Sequence, residues 1–266
     1  MSQDLQPGIA ANSEPGPPHA EALRSGPDAA PAAAAPLGER VAAEQLVPAC
    51  SPEPTTLAGR LVILRPLDPV ADGDALFSGS HGDAERERVW LYLFEGPFPD
   101  RAAFDRHLHR IAAGRDPLFF SIVERATGVV AGYASYMRIE PAHRVIEVGS
   151  ILFTPRLQRT PGATEAMYLM ARHVFDDLGY RRYEWKCNAL NAPSRRAALR
   201  LGFSFEGIFR QHLVIKGRNR DTAWFSMLDS EWPRRKAAFE RWLDPGNFDA
   251  AGRQKQSLAA LVPSAT

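Results

Sequence analysis

The chain has 266 residues and carries 32 Lys and Arg against 31 Asp and Glu, a formal net charge of +1. A charge so near zero gives no support for nucleic acid or an acidic membrane surface as the main partner, and no run of about 18 apolar residues exists to span a bilayer. The two cysteines, Cys50 and Cys187, form neither a disulfide framework nor a metal-ligand spacing, so no metal is expected.

Residues 1–54 are rich in Ala, Pro, Gly and Ser, as in PAAAAP and EPGPPH. Large apolar side chains are too sparse there to offset the entropy of ordering, which predicts a disordered leader. Scattered acidic residues such as Asp4, Glu14 and Glu21 argue against an organellar targeting peptide. The first residues also lack the basic-then-apolar layout of a secretory signal. A cytoplasmic location is expected.

Order is predicted from 55 to 243. LAGRLVILRPL reads as a first strand ended by Pro66, and Asp68 or Asp72 caps a helix containing Ala75, Leu76 and Phe77. The apolar WLYLF from Trp90 to Phe94 is either a helix end packed on the core or a wall of a substrate pocket. A helix over Asp100–Ala113 carries Phe104, Leu108 and Ile111 on one face. LFFSIVER and VVAGYASYMRI are strands joined through Ala126–Gly128, and Arg144–Phe153 is a third.

The organising stretch runs from Gly149 to Tyr180. Ile151, Leu152 and Phe153 end a strand, and two prolines and a glycine break the chain between Thr154 and Gly162. Met167, Met170, Val174 and Leu178 then recur at helical spacing, with Glu165, Arg172 and Asp176 assigned to the opposite face. Gly179 suits a helix stop. A strand feeding a loop that opens into a helix leaves free N–H groups at the positive end of the helix dipole, which suits an anion such as a pyrophosphate.

RRYEWKCN is the next strand, with Tyr183, Trp185 and Cys187 alternating against Arg182, Glu184 and Lys186. A short helix follows, N-capped by Asn191 and stopped by Gly202, with Ser194, Ala197, Ala198 and Leu201 on one stripe. IFRQHLVI and TAWFSML form a hairpin joined across KGRNRD. A terminal helix offers Trp232, Ala238 and Trp242 for packing, and residues 244–266 are expected to be a flexible tail. The order of elements predicts a mixed, three-layer α+β fold with helices on both faces of a mostly antiparallel sheet.

At three blocks the sequence resembles the GNAT N-acetyltransferases, and within them the RimJ/RimL-type ribosomal-protein N-terminal acetyltransferases. The blocks are Gln158–Ala166 (QRTPGATEA), Asn191-x-x-Ser194 leading to Arg200-Leu-Gly-Phe203, and Phe205-Glu-Gly207 with Arg210-Gln211 and the RDTAWFS run from Arg220. The resemblance implies a sheet that splays between two central strands, with acetyl-CoA as cosubstrate in the cleft. It implies that backbone groups of Ile151, Leu152 and Phe153 pair with the pantetheine arm. Gln158, Arg159, Thr160, Gly162, Ala163 and Thr164 would hold the pyrophosphate, with Asn191 as a further cofactor contact. One departure stands out: Pro161, which has no N–H, sits where the family usually has glycine. Arg156 or Arg159 would supply charge in exchange.

For chemistry, Ser194 is the candidate donor to the leaving thiolate, against the plainer reading of a serine that caps backbone. Glu147 is the first candidate base and Glu184 the second. A family glutamate after the Arg–Gln pair is replaced here by Leu213, and strict alternation turns the adjacent His212 the other way. Asp221 is assigned to ordering the last hairpin. The expected acceptor is a primary amine, foremost the N-terminal α-amine of a protein. A small-molecule amine and a catalytically weak CoA-binding regulatory module are the alternatives, as a monomer or homodimer.

Overall fold

The structure, a computed structural model, describes residues 38–261. Within Val41–Thr266, eight strands form one sheet in the order β1-β2-β3-β4-β5-β6-β8-β7. They are β1 (Leu57–Ala58), β2 (Val62–Pro66), β3 (Leu118–Glu124), β4 (Val130–Glu140), β5 (Val145–Phe153), β6 (Arg182–Asn188), β7 (Ser204–Ile215) and β8 (Arg218–Leu228). Every neighbouring pair is antiparallel except β5 and β6. That parallel pair needs a crossover, which the central helix α4 (Pro161–Arg172) supplies.

One face of the sheet carries α4 and, beyond it, α6 (Trp232–Leu243). Their apolar sides meet Ile146, Val148, Tyr183, Trp185, Phe225 and Met227 in the larger core. The other face carries α1 (Pro69–Ser80) and α3 (Arg101–Ala112). Leu76, Phe104, Leu108 and Trp90 pack there on Phe119, Tyr133 and Leu152 in a second core. Asp68 is the α1 cap, accepting from Val70 and Ala71 N–H at 2.9 and 3.1 Å. Asp72 is instead buried, where it accepts from Ser121 Oγ and pairs with Arg65. The predicted three-layer arrangement is the observed one. Among the described residues no helix is long and apolar enough to cross a membrane.

Three expectations change. The leader's residues up to Leu37 lie outside the described residues, but Val41–Pro54 is bound to the domain. Ala49 N–H donates to Pro141 O, Cys50 N–H to Leu178 O, and the Arg144 guanidinium takes the carbonyl of Val47. The tail also folds back: Leu258 and Leu261 enter the larger core, and Gln254 Oε1 accepts from Trp242 Nε1 at 2.8 Å. Single apolar residues too sparse to signal order on their own are captured by a surface already built. Finally, the last hairpin turns on Lys216–Gly217, so β7 and β8 are longer than the sequence pattern predicts.

A fourth correction falls on the central helix itself, at Glu165. It does not share a polar outer face with Arg172 and Asp176 but is 4% exposed. Its carboxylate accepts from the backbone N–H groups of Arg60, Leu61 and Val62 at 3.0, 2.6 and 2.8 Å. The β1–β2 turn thus donates to a buried charge, and α4 is fixed to the sheet edge by three charge-assisted bonds. Replacing Glu165 by Ala strands those donors. We expect a loss of about 3 kcal/mol of unfolding free energy, read as a lower denaturant midpoint in chemical unfolding.

Candidate functional site

The site begins with one extra residue. In β5, Leu152 faces Tyr133 of β4 and Gly149 faces Ser135, so three steps on β5 oppose two on β4. Ser150 absorbs the surplus in a left-handed conformation, φ +49°. Such a bulge bends its strand and reverses which side chains face each layer. Ile146 and Val148 face the α4 core before it, and Ile151 and Phe153 pack against that core after it. Beside the bulge a Cβ on Gly149 would meet Met137 Sδ, so Met137 would have to shift to admit any larger residue. Ser135 Oγ donates to the Gly149 carbonyl at 3.0 Å. The parallel pairing of β5 with β6 covers Val145↔Arg182 to Val148↔Trp185 and stops there. From Gly149 to Phe153 the β6-side edge of β5 has no strand partner among the described residues, only the Gln158 Nε2 bond to the Phe153 carbonyl, and a cleft opens.

The cleft leads to the mouth of α4. The Thr154 carbonyl accepts from Leu157 and Gln158 N–H, and the Leu157 carbonyl from Thr160 N–H and Oγ1. Thr160 is the N-cap, its Oγ1 accepting from Ala163 N–H at 3.2 Å. Arg159 is left-handed, φ +62°, which aims successive N–H groups into one concavity. The N–H groups of Arg159 and Gly162 have no backbone partner among the described residues. Pro161 occupies the first helical position, where a missing N–H costs the helix nothing. Gln158 Nε2 donates to the Phe153 carbonyl, and the buried Thr164 hydroxyl accepts from Arg200 Nη1. Arg156 pairs with Glu124 at 2.5 Å, which leaves Arg159 as the exposed charge of the loop.

Across the cleft stands α5 (Ala192–Arg200). Asn191 caps it, Oδ1 accepting from Ser194 N–H at 3.1 Å. The cap is therefore Asn191 and not Ser194. The Ser194 hydroxyl accepts from Trp185 Nε1 at 3.0 Å, which leaves its own proton to donate. Its neighbour Cys187 is buried, and burial pushes that thiol up.

The open-cleft face of β5, β6 and β8 is polar and buried. Glu147 and Glu184 are register partners across the parallel pair. Lys186, 5% exposed, bridges them, with Nζ 3.0 Å from Glu147 Oε2 and 2.6 Å from Glu184 Oε2. The Trp224 ring lies 3.9 Å from the same Nζ. Arg138 takes Glu147 Oε2 as well, at 2.5 Å, and Arg182 takes Glu184 Oε1 at 2.6 Å. Both oxygens of Glu184 are thus held by cations. Glu147 has both its cations on Oε2, and Oε1 lies on the Gly149 side. A second bulge, with Gln211 at φ +50°, shifts the register between Phe209 and Leu213. It brings His212 to Thr222 Oγ1 at 3.0 Å and beside Trp224, so simple alternation misplaces this histidine. Asp221 orders that bulge as expected, accepting from Gln211 N–H at 2.7 Å.

Next to this face lies a cavity of about 390 Å³ between Met137 and Ser150 on one side and Trp90, Phe94 and Ile111 on the other. Trp90–Glu95 roofs it. Lys216 Nζ reaches the Trp90 carbonyl at 2.7 Å, and Tyr92 OH reaches Leu190 O at 3.2 Å. WLYLF does both: Trp90 ends a short helix and is buried in the second core, and Trp90, Leu93 and Phe94 also line this cavity. His107, Glu95 and Arg110 meet at one side, with His107 Nδ1 3.2 Å from Glu95 Oε2. Burial pushes His107 below its ordinary value, and its Nε2 is buried without a partner. The sequence reading missed His107, although its spacing from Phe104 and Ile111 puts it on the buried stripe of α3. It also missed Lys186 and Arg220. The signal for those was polar alternation on strands that lie inside the sheet.

A parallel strand pair opened by a bulge, above a helix mouth lined with free N–H groups, is the architecture of an acyl-CoA-dependent acyltransferase. Residues 61–204 match the acetyltransferase (GNAT) domain family, and the chain belongs to that family. The solved structure of a GCN5-related N-acetyltransferase from Brucella melitensis is 52% identical with a TM-score of 0.80, covering 82% of this chain and 98% of its own. N-acetyltransferase p20 of Bacillus licheniformis, itself uncharacterised, is 32% identical over 114 residues, which is 42% of this chain and 63% of p20. YdaF of Bacillus subtilis (strain 168), provisionally named a ribosomal N-acetyltransferase, is 24% identical over 66% of this chain and 95% of its own length.

The two cysteines allow a direct check of the packing beside Ser194. Cys50 is exposed and Cys187 buried. Titration of the native protein with a thiol-reactive disulfide reagent is expected to modify Cys50 quickly and Cys187 only on unfolding. Fast modification of both would contradict the packing of α5 on β6.

Proposed function

We propose that this acetyltransferase uses acetyl-CoA to acetylate the N-terminal α-amine of a protein, and that Ser194 and Glu147 are its catalytic pair. The observation that carries the reading is the bulge at Ser150, which ends β5–β6 pairing and opens the cleft directly onto the roofed cavity. The unpaired edge of Ile151, Leu152 and Phe153 fits an extended arm that adds as a strand. The concavity from Gln158 to Thr164 fits a diphosphate, with Arg159 adding charge at its rim. Asn191 shapes the opposite wall. Bound there, acetyl-CoA supplies an acetyl thioester at the end of the cleft.

The chain's own groups divide the proton work. Ser194, held by Trp185, donates at the cleft wall where negative charge develops on sulfur. Glu147 accepts through Oε1, the oxygen that its two cations leave open. An α-amine has an unperturbed pKa near 7.7–8.0 against about 10.4 for lysine, so a far larger fraction of it is neutral at physiological pH. An α-amine therefore needs less from a base than a lysine side chain does. The name of YdaF agrees with this acceptor. The bounded cavity equally admits a small-molecule amine, and that is the second reading.

Release of free thiol from acetyl-CoA separates them. Ser- and Ala-starting peptides are expected to be acetylated and polyamines not; the reverse pattern selects the second reading. No thiol release with any amine leaves only a CoA-binding regulatory module. Ser194→Ala is expected to lower kcat about 100-fold with little change in the KM for acetyl-CoA. An equal rise in KM with kcat unchanged would assign Ser194 to binding alone.

A further inference from the structure

Four cations meet on the open-cleft face, and three carboxylates answer them. Arg138 and Lys186 share Glu147, Lys186 and Arg182 share Glu184, and Arg182 also pairs with Glu206 at 2.5 Å. Arg220 is the fourth. It is 6% exposed, its Nε is buried with no hydrogen-bond partner, and among the described residues it makes no ion pair. Its guanidinium lies 4.9 Å from the centre of the Phe94 ring, which softens its desolvation but balances no charge. An arginine does not escape burial by losing its proton. A buried, unanswered guanidinium is costly, and a planar fork of this kind matches a planar anion.

Its place in the fold says which molecule brings that anion. β8 runs antiparallel to β6, and Asn188 at the end of β6 faces Thr222. Arg220 therefore lies past the last β6 residue, at the end where β5 and β6 part. Phe94, against which it stacks, lines the cavity beneath the Trp90–Glu95 roof. The α4 mouth, where a diphosphate fits, belongs to the other layer. One free guanidinium balances one negative charge, which a single carboxylate supplies.

We propose that Arg220 is a specificity-determining residue that binds a carboxylate carried by the acceptor close to its reacting amine. The proposal rests on the reading that this face receives the acceptor. The carboxylate has two sources: an acidic side chain at the second residue of a peptide, or the α-carboxylate of a free amino acid.

The test measures binding to the CoA-saturated protein by calorimetry, so that it does not depend on turnover. Peptides starting Ser-Asp are compared with peptides starting Ser-Asn, and free serine with serinamide. At least one acid is expected to bind about tenfold or more tightly than its amide, and the pair that shows it identifies the source. Arg220→Met is expected to bring that ratio to about one, and Arg220→Lys to restore part of it. Equal binding of acid and amide in both pairs, no binding by any of the four, or a preference that survives Arg220→Met overturns the proposal. The wild-type comparison stands even if a variant folds poorly. An acid preference without thiol release would sink the acetyl-transfer reading and keep this one; thiol release without a preference would do the opposite.

Discussion

The fold turns on where two neighbouring strands stop pairing. β5 and β6 are joined for four register pairs, from Val145↔Arg182 to Val148↔Trp185, and then part. The cause is local: Ser150 adds one residue in a left-handed conformation, and the backbone edge beyond it has no strand partner on the β6 side among the described residues. Unpaired backbone groups inside a protein are expensive. The opening therefore persists only because the structure around it is fixed on every side. Gly149 admits Met137, Ser135 takes the Gly149 carbonyl, and Thr154 is tied to Ala131 by N–H and hydroxyl together.

The joined end of the same strand pair is held by charge. Glu147 and Glu184 would repel as register neighbours, and Lys186 between them, with Arg138 and Arg182 outside, turns that repulsion into a cross-brace. The brace also sets the chemistry. It leaves Glu184 no free oxygen and Glu147 one, which supports the proposal of Glu147 as the base. α4 is anchored from the far side by Glu165, whose carboxylate gathers the β1–β2 turn. The helix mouth, the open edge and Ser194 thus sit on three elements that cannot drift independently.

Much of this was legible in the residues. Helical spacing from Met167 to Leu178, the Asn191 cap and the alternation of Tyr183, Trp185 and Cys187 are short-range signals, and each describes the element that forms. The fold class followed from their order. What escaped was whatever depends on contacts distant in sequence. Glu165 looks like a solvent-facing residue until the turn at Arg60–Val62 is placed above it. His212 was turned the wrong way because the bulge at Gln211 interrupts the alternation. Arg220 reads as one more charge in a hairpin, and only the assembled sheet shows that its neighbours have already taken the carboxylates. The candidate site was therefore readable as a set of backbone positions but not as a set of charges.

Hydrogen exchange at backbone amides, followed by mass spectrometry with and without acetyl-CoA, tests the central claim most directly. The account predicts that, within peptides spanning Gly149–Thr154 and Gln158–Thr164, the amides without a backbone partner, Arg159 and Gly162 among them, exchange quickly in the free protein and that both peptides gain protection together when acetyl-CoA is added. The absence of any fast-exchanging amide from those two peptides in the free protein, or protection on binding confined to other segments, would contradict it.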